Sequence, residues 1–354
     1  MMKRTLILLA LALCIISCQN QENEFPDFDY TTGYFPYQYP VRILVLGNYI
    51  YDNTNDNNHR FVISTVMGGA YENKTERIFN FVVDETLCND AYFDKNGKDI
   101  IRPLPTSYYT LSDPSKIVIP AGQMRGGIEV QLTETFFNDP QAIKNTYVLP
   151  IRITSALNID SLLQGTSTNP YADRRIDGHW KPGFLPKDFT MFAVKFVNPY
   201  HGSYLMRGKA SVKENGTALG DSIYQSASGY IEHDLSLFMK TESRTSVRVA
   251  STPFKSKALS GSYELILNFA SDKYDTDGGV ACTVEAVPGA AYTVSGTGKY
   301  TIGAAEFGGK KRDVIEITYT IKTNNKEYTA TDRFVFRDKG VNLETFKPTI
   351  IPEV

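Results

Sequence analysis

The stretch VIEITYTIKTNNKEYTATDRFVF, Val314–Phe336, carries the clearest fold signal in the sequence. Apolar residues stand at every second position from Ile315 to Ile321, which is the pattern of a strand with one buried face. Asn324 and Asn325 then tolerate the backbone of a tight turn, and a second strand-like run follows. The stretch therefore predicts an antiparallel β-hairpin.

The same pattern extends outward from this hairpin over most of the chain. Residues 34–155 contain about seven short strand-like runs, which predicts an immunoglobulin-like β-sandwich domain. The clearest run is Tyr147–Thr154, whose odd-numbered residues form one apolar face. Residues 156–187 interrupt the rhythm with Gly and Pro and are predicted to be a connector. Residues 188–354 predict a second antiparallel β domain, either a sandwich or a lipocalin-like barrel.

Composition and charge favour a globular β protein and exclude several other classes of protein. The chain has 354 residues, 12% of them aromatic, with 37 Lys and Arg against 39 Asp and Glu. Abundant Tyr and Phe favour strands and exclude a coiled coil, a collagen-like repeat and a disordered chain. The balanced charge argues against a nucleic-acid partner, because such proteins carry a basic excess.

The N-terminus predicts secretion and lipid attachment. Lys3 and Arg4 precede the uncharged run Leu6–Ile16, which is too short for a membrane-spanning helix and is typical of a signal peptide. The run ends in Ser17-Cys18, the pattern of a bacterial lipoprotein signal. We therefore expect residues 1–17 to be removed and Cys18 to carry the membrane anchor. The alternative is an ordinary signal peptide that happens to contain a Cys.

The residues after Cys18 form a polar, acidic tether, predicted over residues 18–33. This stretch resembles the surface-export signal of Bacteroidetes lipoproteins, which implies a lipid-anchored outer-membrane protein exposed at the cell surface. A tether that faces the periplasm is the alternative. Only Cys88 and Cys282 then remain as thiols, one in each half of the chain, so no disulfide within one domain is expected.

Several strand-and-turn motifs resemble a known group of proteins. Tyr108–Leu111, Lys116–Gly122 and Tyr147–Ile153 resemble the N-terminal domain of unknown function in Bacteroidetes polysaccharide-utilisation lipoproteins. That domain also precedes the catalytic module of some family-eighteen glycoside hydrolases. The second half, from Asn198–Gly202 to Phe334–Asp338, resembles the β-rich partner domain of the non-catalytic members. The resemblance implies a surface glycan-binding lipoprotein that works beside an outer-membrane importer complex.

Catalytic motifs are mostly missing from the sequence. A family-eighteen hydrolase needs a Glu as general acid after three spaced Asp residues, and here Asp272, Asp275 and Asp277 match while Gly279 replaces the Glu. We therefore predict no catalytic residue, no enzyme activity and no cofactor. Calcium binding by the three Asp residues stays open. An enzyme with an unrecognised carboxylate pair and an adhesin-like, protein-binding surface lipoprotein are the alternative functions.

Three residues are the predicted ligand contacts. Trp180, the only Trp, lies in the connector, where it either fills the domain interface or offers its ring to a sugar. Tyr200 and His201 open the second domain and form either a structural corner or part of the same site. The polar run Asp52–Asn58 is predicted to be a solvated loop, with calcium or sugar hydroxyls as the lesser alternative. Because the tether leaves the first domain, the second domain is expected to supply most glycan contacts.

Overall fold

The computed structural model describes residues 30–252, 263–275 and 277–351. The predicted signal peptide, Cys18 and the tether up to residue 29 lie outside these residues. Within the described ranges the protein is built almost entirely of β-strands, which confirms the predicted all-β class. No helix in these ranges is long and apolar enough to cross a membrane.

The first domain contains twelve of the described strands. They are β1 (Thr32–Tyr34), β2 (Pro40–Val45), β3 (Arg60–Gly68), β4 (Arg77–Val83), β5 (Ala91–Tyr92), β6 (Arg102–Pro103), β7 (Tyr109–Leu111), β8 (Lys116–Ile119), β9 (Arg125–Leu132), β10 (Tyr147–Leu157), β11 (Ser161–Leu162) and β12 (Phe189–Val197). One sheet has the order β11-β1-β3-β9-β7, and a second sheet contains β2-β12-β10-β4-β8. The domain also contains the short helices α1 (Thr54–Asn57) and α2 (Glu134–Phe137).

The two sheets pack face to face around one apolar core, as a β-sandwich requires. Buried residues of β3 and β9, such as Ile63 and Val130, share this core with Phe79 of β4 and Leu149 of β10. The predicted sandwich over the first half of the chain is therefore confirmed. Short 3-10 turns lie at Glu85–Cys88, Thr106–Tyr108 and Asp177–His179 in this domain and at Ile231–His233 in the next.

The second domain is a closed antiparallel barrel, one of the two predicted alternatives. Its strands are β13 (Gly202–Glu214), β14 (Thr217–Tyr224), β15 (Leu235–Thr241), β16 (Ser246–Thr252), β17 (Tyr263–Phe269), β18 (Val280–Ala286), β19 (Thr293–Phe307), β20 (Lys310–Lys322) and β21 (Lys326–Asp338). Each strand pairs with its neighbour, and β21 returns to pair with β13 along almost its whole length. Of the strands that the structure describes in this domain, β14 alone stands outside the closed ring, paired to the far half of β13.

Side chains fill the inside of the barrel. Alternate residues of β17 point inward, and large aromatic residues such as Tyr204, Tyr300 and Tyr319 are fully buried there. The buried carboxylate of Asp332 accepts hydrogen bonds from the hydroxyls of Tyr224 and Tyr319, so it is satisfied without a cation. Burial raises the pKa of Asp332 to about 6. The interior is a packed core and leaves the outer surface and the domain junction for binding.

The predicted hairpin at Val314–Phe336 is present as β20 and β21. Lys322 pairs with Glu327, and the backbone N–H of Thr323 donates to the carbonyl of Lys326 at 2.9 Å. Neither turn Asn has a positive φ, so the backbone of the turn differs from the left-handed type that the two Asn residues would tolerate. Asn324 and Asn325 still close the strand pair, between the hydrogen-bonded Thr323 and Lys326.

Two strands of the barrel were not predicted from the sequence. These are β14 and β15, which lie on either side of the short turn at Ile231–His233. β14 is exposed on both faces for most of its length, so it lacks an alternating apolar pattern. In β15 an apolar residue, Phe238, is exposed and a polar residue, Thr241, is buried. The sequence of this strand therefore does not show a regular alternation of apolar and polar residues.

The predicted domain boundaries need two corrections. Phe189–Val197, expected to begin the second domain, pairs with β2 and β10 and is a central strand of the first. The change of domain therefore falls at Asn198–His201, after the predicted connector of residues 156–187. The chain end also returns to the first domain through β22 (Glu344–Thr345), which pairs with β2, and β23 (Thr349–Ile350), which pairs with β5.

The physical reason for the returning tail is an apolar surface on the outer face of the β2-β12 sheet. Phe346 covers this surface and lies edge-on to Tyr39 at 5.7 Å and near Phe93 at 4.9 Å between ring centroids. Lys195 of β12 also donates to Glu344 at 2.7 Å. A sequence pattern could not reveal this docking, because the partner residues lie far away along the chain.

Phe346→Ala tests the docking of the tail. We expect the free energy of unfolding to fall by about 2 kcal/mol, because truncating a fully buried Phe costs about 3–5 kcal/mol and Phe346 is half-buried. Urea unfolding followed by tyrosine fluorescence measures the change. Leu343→Ala is the matched control, since Leu343 lies in the same tail and is 88% exposed. Equal stability of the two variants would contradict the docking.

A candidate ligand-binding cleft between the two domains

The described domains meet around an open cleft of about 420 Å³. One wall is the loop Asn48–Tyr51 of the first domain, and the other walls are Lys310–Asp313 and Phe336–Asn342 of the barrel end. Pockets that take small ligands commonly measure about 300–1,000 Å³ and often lie at domain interfaces. The cleft therefore has the size and place of a binding site.

Two tyrosines present aromatic surface at the mouth of this cleft. The rings of Tyr49 and Tyr51 lie edge to face, with centroids 5.4 Å apart and planes at 78°. Tyr51 is 68% exposed, and the neighbouring Ile50 is also exposed. Exposed aromatic and apolar side chains next to one another on a polar loop are typical of a contact surface.

The loop that carries these tyrosines is held by the polar run that follows it. Asn53 Nδ2 donates to the carbonyls of Val45 and Gly47, each at 2.7 Å. Asn57 Oδ1 accepts from Gly47 N–H at 2.9 Å, and the buried Asp56 accepts from Val45 N–H at 2.9 Å. The predicted solvated loop at Asp52–Asn58 is thus partly structural, because its side chains cap the backbone beside the cleft.

The base of this loop touches the junction between the domains. Gly47 has φ +83°, and a Cβ placed there would stand 2.8 Å from Pro199. Only glycine combines this left-handed backbone with so close an approach. Gly47 therefore allows the loop Asn48–Tyr51 to lie directly against the start of the barrel domain.

The barrel side of the cleft is organised by the buried carboxylate of Asp313. Its oxygens accept from the Tyr300 hydroxyl at 2.6 Å and from Gly303 N–H at 3.0 Å. Asn48 Nδ2 of the first domain donates to the same carboxylate at 3.3 Å. Asp313 thus joins the barrel core to the aromatic loop across the domain junction.

A buried ammonium group lies at the inner end of the cleft. Lys339 Nζ donates to the carbonyl of Pro199 at 2.5 Å and to that of Asn198 at 3.5 Å. Its Nζ also lies 5.6 Å from the ring centroid of Phe336. Burial lowers the pKa of Lys339 to about 7, and the charge of Asp313 opposes this shift. Lys339 therefore closes the junction between the domains.

Exposed polar groups complete the lining. Lys310 and Lys311 stand at the start of β20, and Asp338 and Asn342 also line the cleft. Ammonium, carboxylate and amide groups can exchange hydrogen bonds with hydroxyl groups of a ligand. Together with the tyrosines they form a mixed aromatic and polar surface.

The structure corrects the predicted roles of Tyr200 and His201. Tyr200 is fully buried, stacks on Phe269 at 3.6 Å and donates its hydroxyl to the carbonyl of Ser271. His201 Nδ1 accepts from Thr241 N–H at 3.0 Å, and burial lowers the pKa of His201 to about 3. The prediction that these residues contact a ligand is wrong, because neither ring is accessible. They form the structural corner that was the alternative.

Trp180 packs within its own segment. Its Nε1 donates to the carbonyl of Asp173 at 2.8 Å, and its half-buried ring lies against Gly165. The segment is anchored to the first domain by Arg175, whose guanidinium donates to the carbonyls of Leu87 and Asn89. Trp180, Tyr200 and His201 are all missing from the lining of the cleft.

Calcium binding by Asp272, Asp275 and Asp277 was left open by the sequence, and the structure engages Asp272 in an ion pair. Asp272 accepts from Arg244 Nε at 2.6 Å, and the same guanidinium pairs with Glu134 of the first domain. Among residues 30–252, 263–275 and 277–351, no group of three or more His, Cys, Asp or Glu side chains could hold a metal ion. Cys88 and Cys282 are both buried and free, in agreement with the expected lack of a disulfide.

Sequence reasoning missed the tyrosines of the cleft. Residues 48–51 lie in a loop between a buried strand and a strongly polar run. Aromatic residues in such a loop are candidates for exposure, and this position could have indicated the site. The sequence analysis favoured Trp180 instead because it is the only Trp in the chain. That a residue type is rare in the sequence does not indicate whether its side chain is exposed.

Comparisons with known proteins agree with this organisation. One family model, described as an N-terminal domain, matches residues 28–160, and DUF5627, a domain of unknown function, matches residues 199–340. The crystal structure of a Bacteroides ovatus protein of unknown function has 35% sequence identity to the chain and a TM-score of 0.81. The match covers 92% of this chain and 100% of that one.

The chain belongs to the family of this Bacteroides ovatus protein. It is thus a two-domain Bacteroidetes protein, and the second family match begins at the corner where the structure changes domain. Two further Bacteroides ovatus crystal structures match over 89% of this chain and 100% of theirs: a protein of unknown function (14% identity, TM-score 0.42) and a multidomain protein including DUF1735 (12%, 0.43). No curated protein matches the chain.

The buried Lys339 predicts a pH-dependent stability. Because its folded pKa lies below the unfolded value, the folded state disfavours the charged form, and stability rises with pH above pH 7. Between pH 7 and pH 9 the free energy of unfolding of the wild type should rise by about 2 kcal/mol more than that of Lys339→Met. Urea midpoints at the two pH values measure this gain. Lys273→Met, which removes an exposed lysine, should leave the pH dependence of the wild type intact.

Proposed function

We propose that this protein is a non-catalytic glycan-binding lipoprotein of the outer-membrane surface. It is held by a lipid at Cys18 and presents polysaccharide to an importer complex in the same membrane. The membership of a two-domain Bacteroidetes family supports the coarse assignment. The binding role rests on one observation, the aromatic and polar cleft at the domain junction.

The cleft offers the two kinds of contact that a sugar needs. The C–H faces of a pyranose ring pack on flat aromatic surfaces, and its hydroxyls need donors and acceptors at the ring edge. Tyr49 and Tyr51 supply the first kind, while Lys310, Asp338 and Asn342 supply the second. Because Asn53, Asp56 and Asn57 hold the loop, little ordering of the protein is required on binding.

The carboxylates of the cleft support a role without hydrolysis. Glycoside hydrolysis by the common mechanism needs two carboxyl groups that flank the scissile bond, one of them as a proton donor. Asp313 is buried, and its oxygens accept hydrogen bonds from Tyr300, Gly303 and Asn48, so it serves the domain junction. Asp338 is exposed at the edge, which suits a hydrogen bond to a sugar hydroxyl.

Tyr51→Ala is the test of the cleft. A glycan array identifies a ligand, and titration calorimetry with that glycan compares the wild type with the variant. Loss of one stacking contact of about 1 kcal/mol predicts an affinity about fivefold lower. Tyr171→Ala is the matched control, because Tyr171 is 88% exposed and lies outside the cleft.

Three outcomes would overturn the proposal. Equal affinities of Tyr51→Ala and Tyr171→Ala would remove the cleft as the site. Release of reducing sugar from the bound glycan by the wild type would indicate an enzyme. Absence of any glycan ligand, together with a protein that co-purifies from the outer membrane, would favour an adhesin-like surface protein.

Cys18→Ala tests the membrane attachment. We expect the variant to lose labelling by a fatty-acid analogue and to leave the outer-membrane fraction, because the thiol is the only acceptor that the lipoprotein pattern offers. Cys14→Ala is the matched control, since Cys14 lies inside the signal peptide and should not change labelling. Labelling of Cys18→Ala at the level of the wild type would contradict the lipid anchor.

A further inference from the structure

The barrel carries a second concave surface on its outer wall, separate from the cleft. This groove measures about 670 Å³ and crosses β19, β20, β21, β13 and β14. It shares no lining residue with the cleft between the domains. The hairpin of β13 and β14 forms one of its sides, because β14 leaves the closed ring at this point.

The floor of the groove is a row of hydroxyl groups. Strand register places Thr297, Thr318 and Thr331 side by side on three adjacent strands, with all three exposed. Thr318 Oγ1 and Thr331 Oγ1 are 3.3 Å apart. The row continues to Lys209 on β13, which pairs with Thr331. Neighbouring strands are about 4.8 Å apart, so polar groups repeat regularly across the floor.

The groove is lined by more cationic side chains than are paired with carboxylates. Four cationic side chains contribute to the groove, namely Arg207, Lys209, Lys299 and Arg333. Arg207 pairs with the buried Asp234 at 2.6 Å, and Arg333 lies 3.6 Å from Glu316. Within the described part of the chain, Lys209 and Lys299 form no ion pair. Glu316 also lines the groove and stands opposite Lys299 in the strand register, but its salt bridge is to Arg333. The ammonium groups of Lys209 and Lys299 therefore remain beside the threonine row without an ion pair.

The remaining carboxylate at the groove does not offset them. Asp332 belongs to the lining but is buried, and both of its oxygens accept from tyrosine hydroxyls inside the barrel. Even with Asp332 ionised, the four cationic side chains outnumber the nearby carboxylates, which are Glu316, Asp332 and Asp234. The groove is therefore positive on a chain whose formal net charge is −2.

We propose that this groove is a second glycan site that binds the anionic groups of an acidic polysaccharide. Lys209 and Lys299 contact carboxylate or sulfate groups, and the threonine hydroxyls contact the sugar hydroxyls between them. The assignment rests on the proposed function, because the ligand is again a glycan. Nucleic acid fits less well, since a groove with so few cations on an acidic chain lacks the broad basic surface of nucleic-acid binders.

The two sites differ in the physical nature of their contacts. The cleft uses aromatic surface, which salt affects little, whereas the exposed charges of the groove are screened by salt. Binding of an anionic polymer at the groove should therefore weaken when the ionic strength rises. Binding of a neutral glycan at the cleft should not.

The experiment measures binding of the full-length protein, in detergent, to three polymers. The probes are polygalacturonate, which carries carboxylates, dextran sulfate, which carries sulfates, and neutral dextran. The double variant Lys209→Ala, Lys299→Ala should bind the anionic polymer about tenfold more weakly at low salt. The double variant Lys116→Ala, Lys144→Ala removes two exposed lysines from the first domain and should bind like the wild type.

The two anionic probes distinguish the sources of charge: preference for polygalacturonate indicates uronic acids, and preference for dextran sulfate indicates sulfated sugars. Unchanged affinity of the groove variant for both would overturn this inference. Equally tight binding of duplex DNA would also overturn it, since the groove would then bind any polyanion. If Tyr51→Ala still weakens binding of an array-selected neutral glycan, the proposed function stands although the groove assignment fails.

Discussion

The arrangement of the two domains depends on the hydrogen bonds that Lys339 donates to the carbonyls of Asn198 and Pro199. These carbonyls lie at the corner where the chain passes from sandwich to barrel, and an unpaired buried carbonyl would cost about 1–3 kcal/mol. Gly47 packs against the same Pro199, so the loop with the tyrosines is fixed to the corner. The cleft exists because one buried ammonium group and one glycine hold its walls in place.

The connection of the domains is strengthened at two further places. The chain end leaves the barrel and adds β22 to the first domain, where Phe346 covers apolar surface. On another side Arg244 joins Asp272 of the barrel domain to Glu134 of the first. A junction supported at separate points keeps a pre-organised cleft, which lowers the entropic cost of binding a flexible chain such as a polysaccharide.

The two candidate sites use different parts of the barrel for different chemistry. The ring closes because β21 pairs with β13, and its interior is filled with aromatic side chains. The described side chains fill the interior, so we expect binding at the barrel end and on the outer wall. At the end, loops supply aromatic rings, and on the wall, strand register arranges threonines and lysines in rows.

The all-β class, the sandwich, the hairpin at Val314–Phe336 and the division into two domains could be predicted from the sequence. These depend on alternation between neighbours along the chain, which a strand imposes locally. The three-dimensional structure was needed to show that Phe189–Val197 belongs to the first domain, that the barrel closes and that Tyr200 is buried while Tyr51 is exposed. Those outcomes depend on pairing and packing between residues far apart in sequence, and no local pattern encodes which distant surface a side chain will meet.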